Sequence, residues 1–139
     1  MNCIIIDDEV TARVIIEQLC SKIPDLNVLD AFPDAMQAIK YLNQNEVDII
    51  FLDIHMPDFN GFDFIQALKN PPKIILTTSD SQFAIEAFEY DCIVDYLVKP
   101  IVLPRFKRAI KKSLAIAVKP SEGLLNSGNI AVSSGDYLY

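Results

Sequence analysis

The hydrophobic pattern of the chain divides into five short apolar runs separated by longer amphipathic segments. The runs are rich in Ile, Val and Leu, and several are apolar at every position rather than at alternate ones. A strand with this pattern is covered on both faces, which is typical of a parallel sheet. The pattern predicts strands at 3–7, 27–32, 47–53, 73–78 and 94–99.

Between the runs, apolar residues recur at intervals of three and four, which predicts amphipathic helices. The predicted helices are 10–23, 33–45, 61–70, 81–91 and 103–118. Ile15 lies on the predicted core stripe of the first helix, and Leu114 and Ala117 lie on that of the last. Alternation of strands and helices indicates an α/β fold, a doubly wound parallel sheet with right-handed crossovers.

The pattern changes after residue 118. Residues 1–118 form the predicted domain, whereas 119–139 are rich in Ser and Gly and have no helical period. We interpret 119–129 as a linker and "NIAVSSGDYLY" (129–139) as the start of an output domain that continues past Tyr139. A disordered tail is the alternative interpretation.

Composition narrows the classes of function. The net charge of −7 over 139 residues argues against nucleic-acid binding by this domain alone. No apolar run is long enough to cross a membrane, and the acidic start "MNCIIIDDEV" does not resemble a secretory signal. Three widely spaced cysteines argue against a disulfide framework or a zinc site. We therefore expect a cytoplasmic protein without a membrane partner.

Polar side chains follow four of the five predicted strands. They are Asp7, Asp8 and Glu9 after the first, Asp53 at the end of the third, Thr77, Thr78 and Ser79 at the fourth, and Lys99 at the fifth. In an open α/β sheet, ligands bind outside the carboxyl ends of the strands. These side chains are therefore predicted to lie together at one edge.

The residue types in this set point to phosphoryl chemistry. Clustered carboxylates repel one another, and Mg²⁺ or Mn²⁺ with oxygen ligands relieves that repulsion. Asp53 could act as a nucleophile and form an aspartyl phosphate. Lys99 and Thr78 would then hold the phosphoryl oxygens. Taken alone, Asp53 could instead be the polar end of a core strand.

Four motifs resemble the receiver domain of bacterial two-component response regulators. They are "IIIDDE" near the N-terminus, "DIHMPDFNG" around Asp53, "TTS" at 77–79 and "VDYLVKP" at 94–100, and the resemblance covers about 1–117. It implies a flavodoxin-like, five-stranded sheet of order 2-1-3-4-5 with five helices. It also implies a phospho-acceptor that is not classed as an enzyme, because it catalyses only its own phosphorylation and dephosphorylation.

The resemblance assigns a role to each site residue. Asp53 corresponds to the phospho-acceptor, and Asp7, Asp8 and Asp53 correspond to the Mg²⁺ ligands, together with the backbone carbonyl of His55. Asp8 is the expected direct ligand of the acidic pair. Gly61 is expected to allow the turn into the third helix.

The same resemblance predicts the parts of a switch. Thr78 corresponds to the switch hydroxyl, Tyr96 to the aromatic side chain that turns inward on activation, and Lys99 to the lysine of the site. The bond between Lys99 and Pro100 is expected to be cis. Ser79 departs from the family, which usually has Ala there, and could crowd access of the phosphate.

The resemblance also implies partners. A sensor histidine kinase would donate the phosphoryl group, and "ILTTSDSQFAIEAFEYDCIVDYLVKPI" resembles the subfamily with a LytTR-type DNA-binding output. DNA would be bound only through that output domain, beyond residue 139. Phosphorylation would favour a homodimer through the fourth helix, fifth strand and fifth helix. The expected dimer face comprises Ile85, Phe88, Arg105, Arg108 and Lys112.

Three alternatives compete with these interpretations. A phosphatase of the haloacid-dehalogenase type also uses Asp, Thr, Lys and Mg²⁺, but its D-x-D pattern after the first strand is replaced here by D-D-E. A stand-alone receiver, or a pseudo-receiver that serves only for binding, would use the same fold. The basic residues of the last helix could be a solvated face rather than a dimer contact.

Overall fold

The computed structural model describes residues 1–57, 59–80, 82, 84–87 and 89–115. Its five strands are β1 (Asn2–Ile6), β2 (Asn27–Phe32), β3 (Ile49–Asp53), β4 (Lys73–Thr78) and β5 (Ile93–Val98). Its helices are α1 (Val10–Cys20), α2 (Ala35–Leu42), α3 (Gly61–Ala67), α4 (Ala84–Ala87) and α5 (Leu103–Ala115). The predicted linker and output segment at 119–139 lie outside the described residues.

The strands form one parallel sheet in the order β2-β1-β3-β4-β5. This order confirms the predicted flavodoxin-like, doubly wound fold. β1 and β3 lie side by side at the centre, where the direction of winding reverses. The carboxyl ends of these two strands therefore flank the switch point at which α/β proteins bind ligands.

Alternate residues of the strands enter two separate hydrophobic cores, one on each face of the sheet. Ile5 and Phe51 pack beneath α1 and α5, where Phe51 stacks on Phe106 of α5 with ring centroids 5.3 Å apart. Ile4 and Ile50 enter the core on the side of α3. Burial on both faces explains why the strands are apolar at successive positions.

Two helices, α1 and α3, end earlier than the apolar periodicity predicts. α1 ends at Cys20, because the amides of Lys22 and Ile23 bond to the third residue before them in a tighter final turn. α3 ends at Ala67, where Leu68 adopts an extended backbone before the two prolines at 71–72. Side-chain oxygens of Asp34 and Asn60 cap the starts of α2 and α3.

Two side chains predicted to face the core do not. Ile15 is 43% exposed because the neighbouring Ile16 faces the sheet instead. Leu114 is 61% exposed, whereas Ser113 is fully buried and donates its hydroxyl to the Ile110 carbonyl at 2.7 Å. A hydroxyl that is hydrogen-bonded within its own helix can be buried at low cost. The prediction was wrong here because it assigned the apolar Leu114 to the core rather than the polar Ser113. Ala117 lies outside the described residues.

The strand ends that the sequence singled out lie along one edge of the sheet. Asp7 directly follows β1, Asp53 ends β3, Thr78 ends β4, and Lys99 directly follows β5. The predicted cis bond between Lys99 and Pro100 is present. Within the described residues, the helices are too short and too polar to cross a membrane.

Candidate functional site

Three carboxylates meet at the carboxyl ends of β1 and β3. Ile6 of β1 pairs with Leu52 of β3, so Asp7 and Asp53 leave adjacent strands at the same level. An oxygen from each of Asp7, Asp8 and Asp53 lies within 4.8 Å of the others. Asp7 is fully buried and Asp53 is 4% exposed, whereas Asp8 is exposed. Two of the three charges are therefore shielded from water.

Contacts with the start of α1 hold Asp7 in place. The Glu9 amide donates to Asp7 Oδ1 at 3.0 Å, and the Arg13 guanidinium donates to the Asp7 carbonyl at 2.7 Å. The first bond fixes the carboxylate, and the second ties the end of β1 to the first turn of the helix. Arg13 was not identified from the sequence, because an arginine six residues after an acid has no distinctive pattern.

Lys99 reaches across the edge from β5. Its ammonium lies 2.8 Å from Asp7 Oδ2 and 3.7 Å from Asp53 Oδ1, and its amide donates to the Thr78 carbonyl at 2.7 Å. Burial by itself lowers the pKa of Lys99, but its hydrogen bond to Asp7 and the charges of Asp53 and Asp7 raise that pKa overall. Lys99 is therefore a stable positive charge inside the acidic cluster.

The surroundings of Asp53 raise its pKa more than they lower it. Burial, followed by the negative charge of Asp7, raises the pKa of Asp53 to about 7. Lys99 and the His55 amide, which lies 3.4 Å from Asp53 Oδ1, act in the opposite direction without cancelling the rise. The site thus carries more negative charge than its own residues compensate, and an additional cation would stabilise it.

Gly61 packs closely against the backbone of Asp53 and Ile54. Its amide donates to the Ile54 carbonyl at 2.8 Å, and a Cβ at this position would lie 3.1 Å from both the Asp53 carbonyl oxygen and Ile54 Cα. Close backbone approach therefore explains the glycine directly. The expectation that Gly61 allows the turn into α3 stays a prediction beside this contact.

The two threonines that end β4 point in opposite directions. Thr78 is fully buried, and its hydroxyl accepts a hydrogen bond from the Asp80 amide at 3.1 Å. Thr77 pairs with Asp53 across the strands, and its buried hydroxyl has no hydrogen-bond partner among the described residues. Ser79 is exposed, and the expectation that it crowds access of the phosphate stays a prediction.

Tyr96 of β5 is connected to the loop after β4. Its hydroxyl donates to the Asp80 carbonyl, and the Asp80 side chain accepts from the Gln82 amide at 2.9 Å. Asp80 therefore contacts both predicted switch residues, Thr78 through its amide and Tyr96 through its carbonyl. The sequence predicted a switch role for each of Thr78 and Tyr96 but did not predict this connection.

The residues predicted for the dimer face have different surroundings. Arg105 and Lys112 bind Asp95 within the same chain, with closest distances of 2.8 Å and 3.4 Å, while Arg108 is exposed. The Ile85 side chain and Phe88 lie outside the described residues. Asp95 was missed, although an acid within an apolar strand run indicates that a cation must cover it.

The donor set fits a hard divalent cation. Carboxylate oxygens are the only side-chain ligands that Asp7, Asp8 and Asp53 offer, and oxygen-only sets suit Mg²⁺ and Mn²⁺. Burial and the charge of Asp7 raise the pKa of Asp53, so a cation bound beside it would stabilise the carboxylate. His55 follows Asp53 by two residues with its side chain exposed, and its carbonyl remains a predicted ligand.

Comparison with known proteins identifies one family. The model of the response regulator receiver domain matches residues 3–111. The sensory transduction protein LytR of Staphylococcus haemolyticus is 37% identical over 115 residues, which cover 81% of this chain and 44% of that protein. The transcriptional regulatory protein LytR of Staphylococcus aureus is 35% identical over 136 residues, covering 96% and 53%. The chain thus spans about half the length of these relatives.

Solved structures have the same fold. The response regulatory domain of mrkE from Klebsiella pneumoniae is 30% identical, with a TM-score of 0.75 over 83% of this chain and 96% of that one. The response regulator domain of CheB from Thermotoga maritima, 23% identical, superposes with a TM-score of 0.72 over 85% of this chain and 98% of that one. The second likeness concerns the fold alone.

Proposed function

The chain belongs to the response regulator receiver domain family, and from this premise we propose that Asp53 accepts a phosphoryl group that switches an attached output. The arrangement around Asp53 carries the proposal. Asp53 ends β3 almost completely buried, with two acids and the Lys99 ammonium beside it. In this proposal the chain is a phospho-acceptor rather than an enzyme, and any catalysis would act on its own aspartyl phosphate.

The proposed step forms one bond and breaks one. An Asp53 oxygen bonds to phosphorus while the bond from phosphorus to a histidine nitrogen of the donor breaks, and that nitrogen keeps the electron pair. The aspartate must be ionised to attack. Lys99, 3.7 Å from Asp53 Oδ1, stabilises the ionised form and is close enough to hold a phosphoryl oxygen after transfer.

Mg²⁺, or Mn²⁺ in its place, would be held by the carboxylates of Asp7, Asp8 and Asp53 together with the backbone carbonyl of His55. When bound, the cation neutralises the carboxylates and the charge that develops on the phosphoryl oxygens. Asp7 is positioned for this role by Glu9 and Lys99. Asp8 is exposed and so accessible to a hydrated cation.

Thr78 and Tyr96 are the proposed switch residues. The Thr78 hydroxyl, now bonded to the Asp80 amide, would turn to a phosphoryl oxygen on Asp53. Asp80 would then lose this bond, and its carbonyl contact with Tyr96 would shift with it. The change in this loop is the proposed signal to the surface formed by α4, β5 and α5.

The partners follow from the relatives. We assign residues 1–118 to the receiver domain and 119–139 to a linker and the start of an output domain. The match to the S. aureus regulator extends through 96% of this chain, and that protein is about twice as long. Its name describes transcriptional regulation, which supports a LytTR-type DNA-binding output. The proposed donor is a sensor histidine kinase.

Dimerisation through α4, β5 and α5 is the proposed consequence of phosphorylation. Arg108 is exposed on α5 and is the predicted contact best placed to meet an acidic partner surface. Arg105 and Lys112 are engaged with Asp95, so they would contribute only if these bonds were exchanged. Size-exclusion chromatography with and without phosphorylation tests this part separately.

Phosphorylation itself is tested with a small phosphodonor. The chain is incubated with acetyl phosphate and Mg²⁺, and the phosphorylated fraction is measured by mass spectrometry. Asp53→Asn should abolish the label, whereas Asp91→Asn, an exposed acid beyond the opposite ends of the strands, should leave it unchanged. A label that persists in Asp53→Asn contradicts the assignment, and failure of the unaltered chain to react despite binding Mg²⁺ supports a pseudo-receiver.

A further inference from the structure

Asp95 is a buried carboxylate that the site does not use. It lies in β5 with 8% of its surface exposed. The Arg105 guanidinium of α5 donates to it twice, from Nη1 to Oδ2 and from Nη2 to Oδ1, each at 2.8 Å. This fork geometry is the strongest form of pairing between an arginine and an acid. Asp95 therefore ties the last strand to the last helix.

The ion pair also holds the backbone of Tyr96. Arg105 Nη2 donates to the Tyr96 carbonyl at 3.1 Å, and the Tyr96 amide donates to Asp95 Oδ1 at 2.8 Å. Asp95 thus binds the amide of Tyr96, and Arg105 binds its carbonyl. Although burial by itself raises the pKa of Asp95, the hydrogen bonds from Arg105 and the Tyr96 amide lower it, so the carboxylate stays charged.

The side-chain hydroxyl of Tyr96 is connected to the proposed phosphorylation site. Its hydroxyl donates to the Asp80 carbonyl, and the Asp80 amide donates to the Thr78 hydroxyl. Three hydrogen bonds, joined by the Asp80 backbone and by the covalent frame of Tyr96, therefore connect the Thr78 hydroxyl to Arg105. Thr78 ends the strand next to β5, whereas Arg105 lies in the first turn of α5.

We propose that Asp95 and Arg105 are positioning residues that fix the Tyr96 backbone to α5, so that a change at the Thr78 hydroxyl reaches α5 through Tyr96. This assigns Arg105 to communication within the chain rather than to the dimer contact expected from the sequence. The trigger, phosphorylation of Asp53, rests on the proposed function. The coupling between Thr78 and α5 does not, since it can be measured without a phosphoryl group.

The test is a set of variants examined by amide hydrogen exchange without Mg²⁺ or a phosphodonor. Thr78→Val removes the acceptor of the Asp80 amide while preserving side-chain shape. We expect exchange at 106–112 to accelerate roughly five- to tenfold, the range for the loss of one hydrogen bond. Thr77→Val is the matched control, because the neighbouring hydroxyl has no partner to lose among the described residues.

The same substitution is then repeated in two backgrounds that interrupt the route. Tyr96→Phe removes the hydroxyl that contacts Asp80, and Arg105→Lys keeps the charge but cannot reproduce the fork. In either background, Thr78→Val should no longer change exchange in α5, although it still changes exchange at 79–80. A merely structural Arg105 would alter the basal exchange of α5 and leave the effect of Thr78→Val intact.

Each outcome decides the proposal. An effect of Thr78→Val on α5 that persists in either background overturns it, as does the absence of any effect on α5 when residues 79–80 respond. Acetyl phosphate with Mg²⁺ should label Arg105→Lys as well as the unaltered chain, because Arg105 does not contact Asp53. If neither protein is labelled, the proposed function fails while the exchange data still decide the coupling.

Discussion

Lys99 lies closer to Asp7 than to Asp53. Its ammonium is 2.8 Å from Asp7 Oδ2 and 3.7 Å from Asp53 Oδ1. The proposed nucleophile therefore receives only part of the nearest positive charge. Burial of Asp53 and the negative charge of Asp7 raise the pKa of Asp53, and Lys99, which lies closer to the fully buried Asp7, does not cancel that rise. This division of one cation between two acids governs the first two predictions.

Replacing Lys99 with Met should slow phosphorylation of Asp53 by acetyl phosphate by about 100-fold, the typical cost of removing one group that stabilises transition-state charge. The rate is measured by mass spectrometry at fixed Mg²⁺. Lys73→Met is a control, since that lysine begins β4 at the opposite end of the strands and contacts the Ser113 carbonyl. Equal rates for Lys99→Met and the unaltered chain would refute the role of Lys99.

Ionised Asp53 should destabilise the chain when no divalent cation is present. Its pKa rises from 3.8 in the unfolded chain to about 7 in the fold. The folded state therefore binds more protons between these values, and stability falls as pH rises through that window. By pH 8 the loss should be on the order of 2 to 4 kcal/mol.

Asp53→Asn removes this titration. Thermal unfolding in EDTA should show the variant more stable than the unaltered chain at pH 8, with the difference vanishing near pH 4. Mg²⁺ should narrow the difference at pH 8 by stabilising only the carboxylate form. A difference that is the same at both pH values would show that charge at Asp53 is not its cause.

Asp8→Asn should weaken Mg²⁺ binding by ~10-fold or more, because it removes one of three carboxylates that set the charge of the site. Isothermal titration calorimetry measures the affinity directly. Glu9→Gln is a close control, since the Glu9 side chain is exposed and only its amide contacts Asp7. A weaker affinity in Glu9→Gln but not in Asp8→Asn would reverse the assignment.

The strands and the edge of the sheet could be predicted because both follow from burial. A strand covered on two faces must be apolar throughout, so the acids after "CIII" and "VDIIFL" stand out. Parallel topology then brings Asp7, Asp53 and Lys99 together. No detailed contact was needed for this step, only the rule that polar groups collect where buried strands end.

Contacts made by long side chains could not be predicted. Arg105 looked like one cation in a basic helix, and only the fold places it against Asp95. The rotation of α1 was equally undetermined, because Ile15 and Ile16 are both apolar and lie about 100° apart around the helix. Tertiary packing made the choice between them, and local pattern could not.

The rotation of α1 predicts a contrast between adjacent residues. Ile16→Ala should lower the free energy of unfolding by about 2 to 4 kcal/mol, because it leaves a cavity beneath α1. Ile15→Ala should cost less than ~1 kcal/mol, since that side chain is largely in water. Urea unfolding measures both. A larger loss for Ile15→Ala would place the opposite face of α1 on the sheet.

Gly61→Ala should impair both stability and phosphorylation. The new methyl would meet the Asp53 carbonyl oxygen and Ile54 Cα at 3.1 Å, and neither backbone atom can move without displacing the end of β3. Strain of about 1 to 3 kcal/mol should outweigh the gain in helix propensity, which is at most ~1 kcal/mol. Urea unfolding measures the first effect and labelling by acetyl phosphate the second.

Ala67→Gly, at the exposed end of the same helix, should lose stability through propensity alone and keep the full phosphorylation rate. Equal labelling of Gly61→Ala and the unaltered chain would show that the backbone beneath Asp53 tolerates displacement.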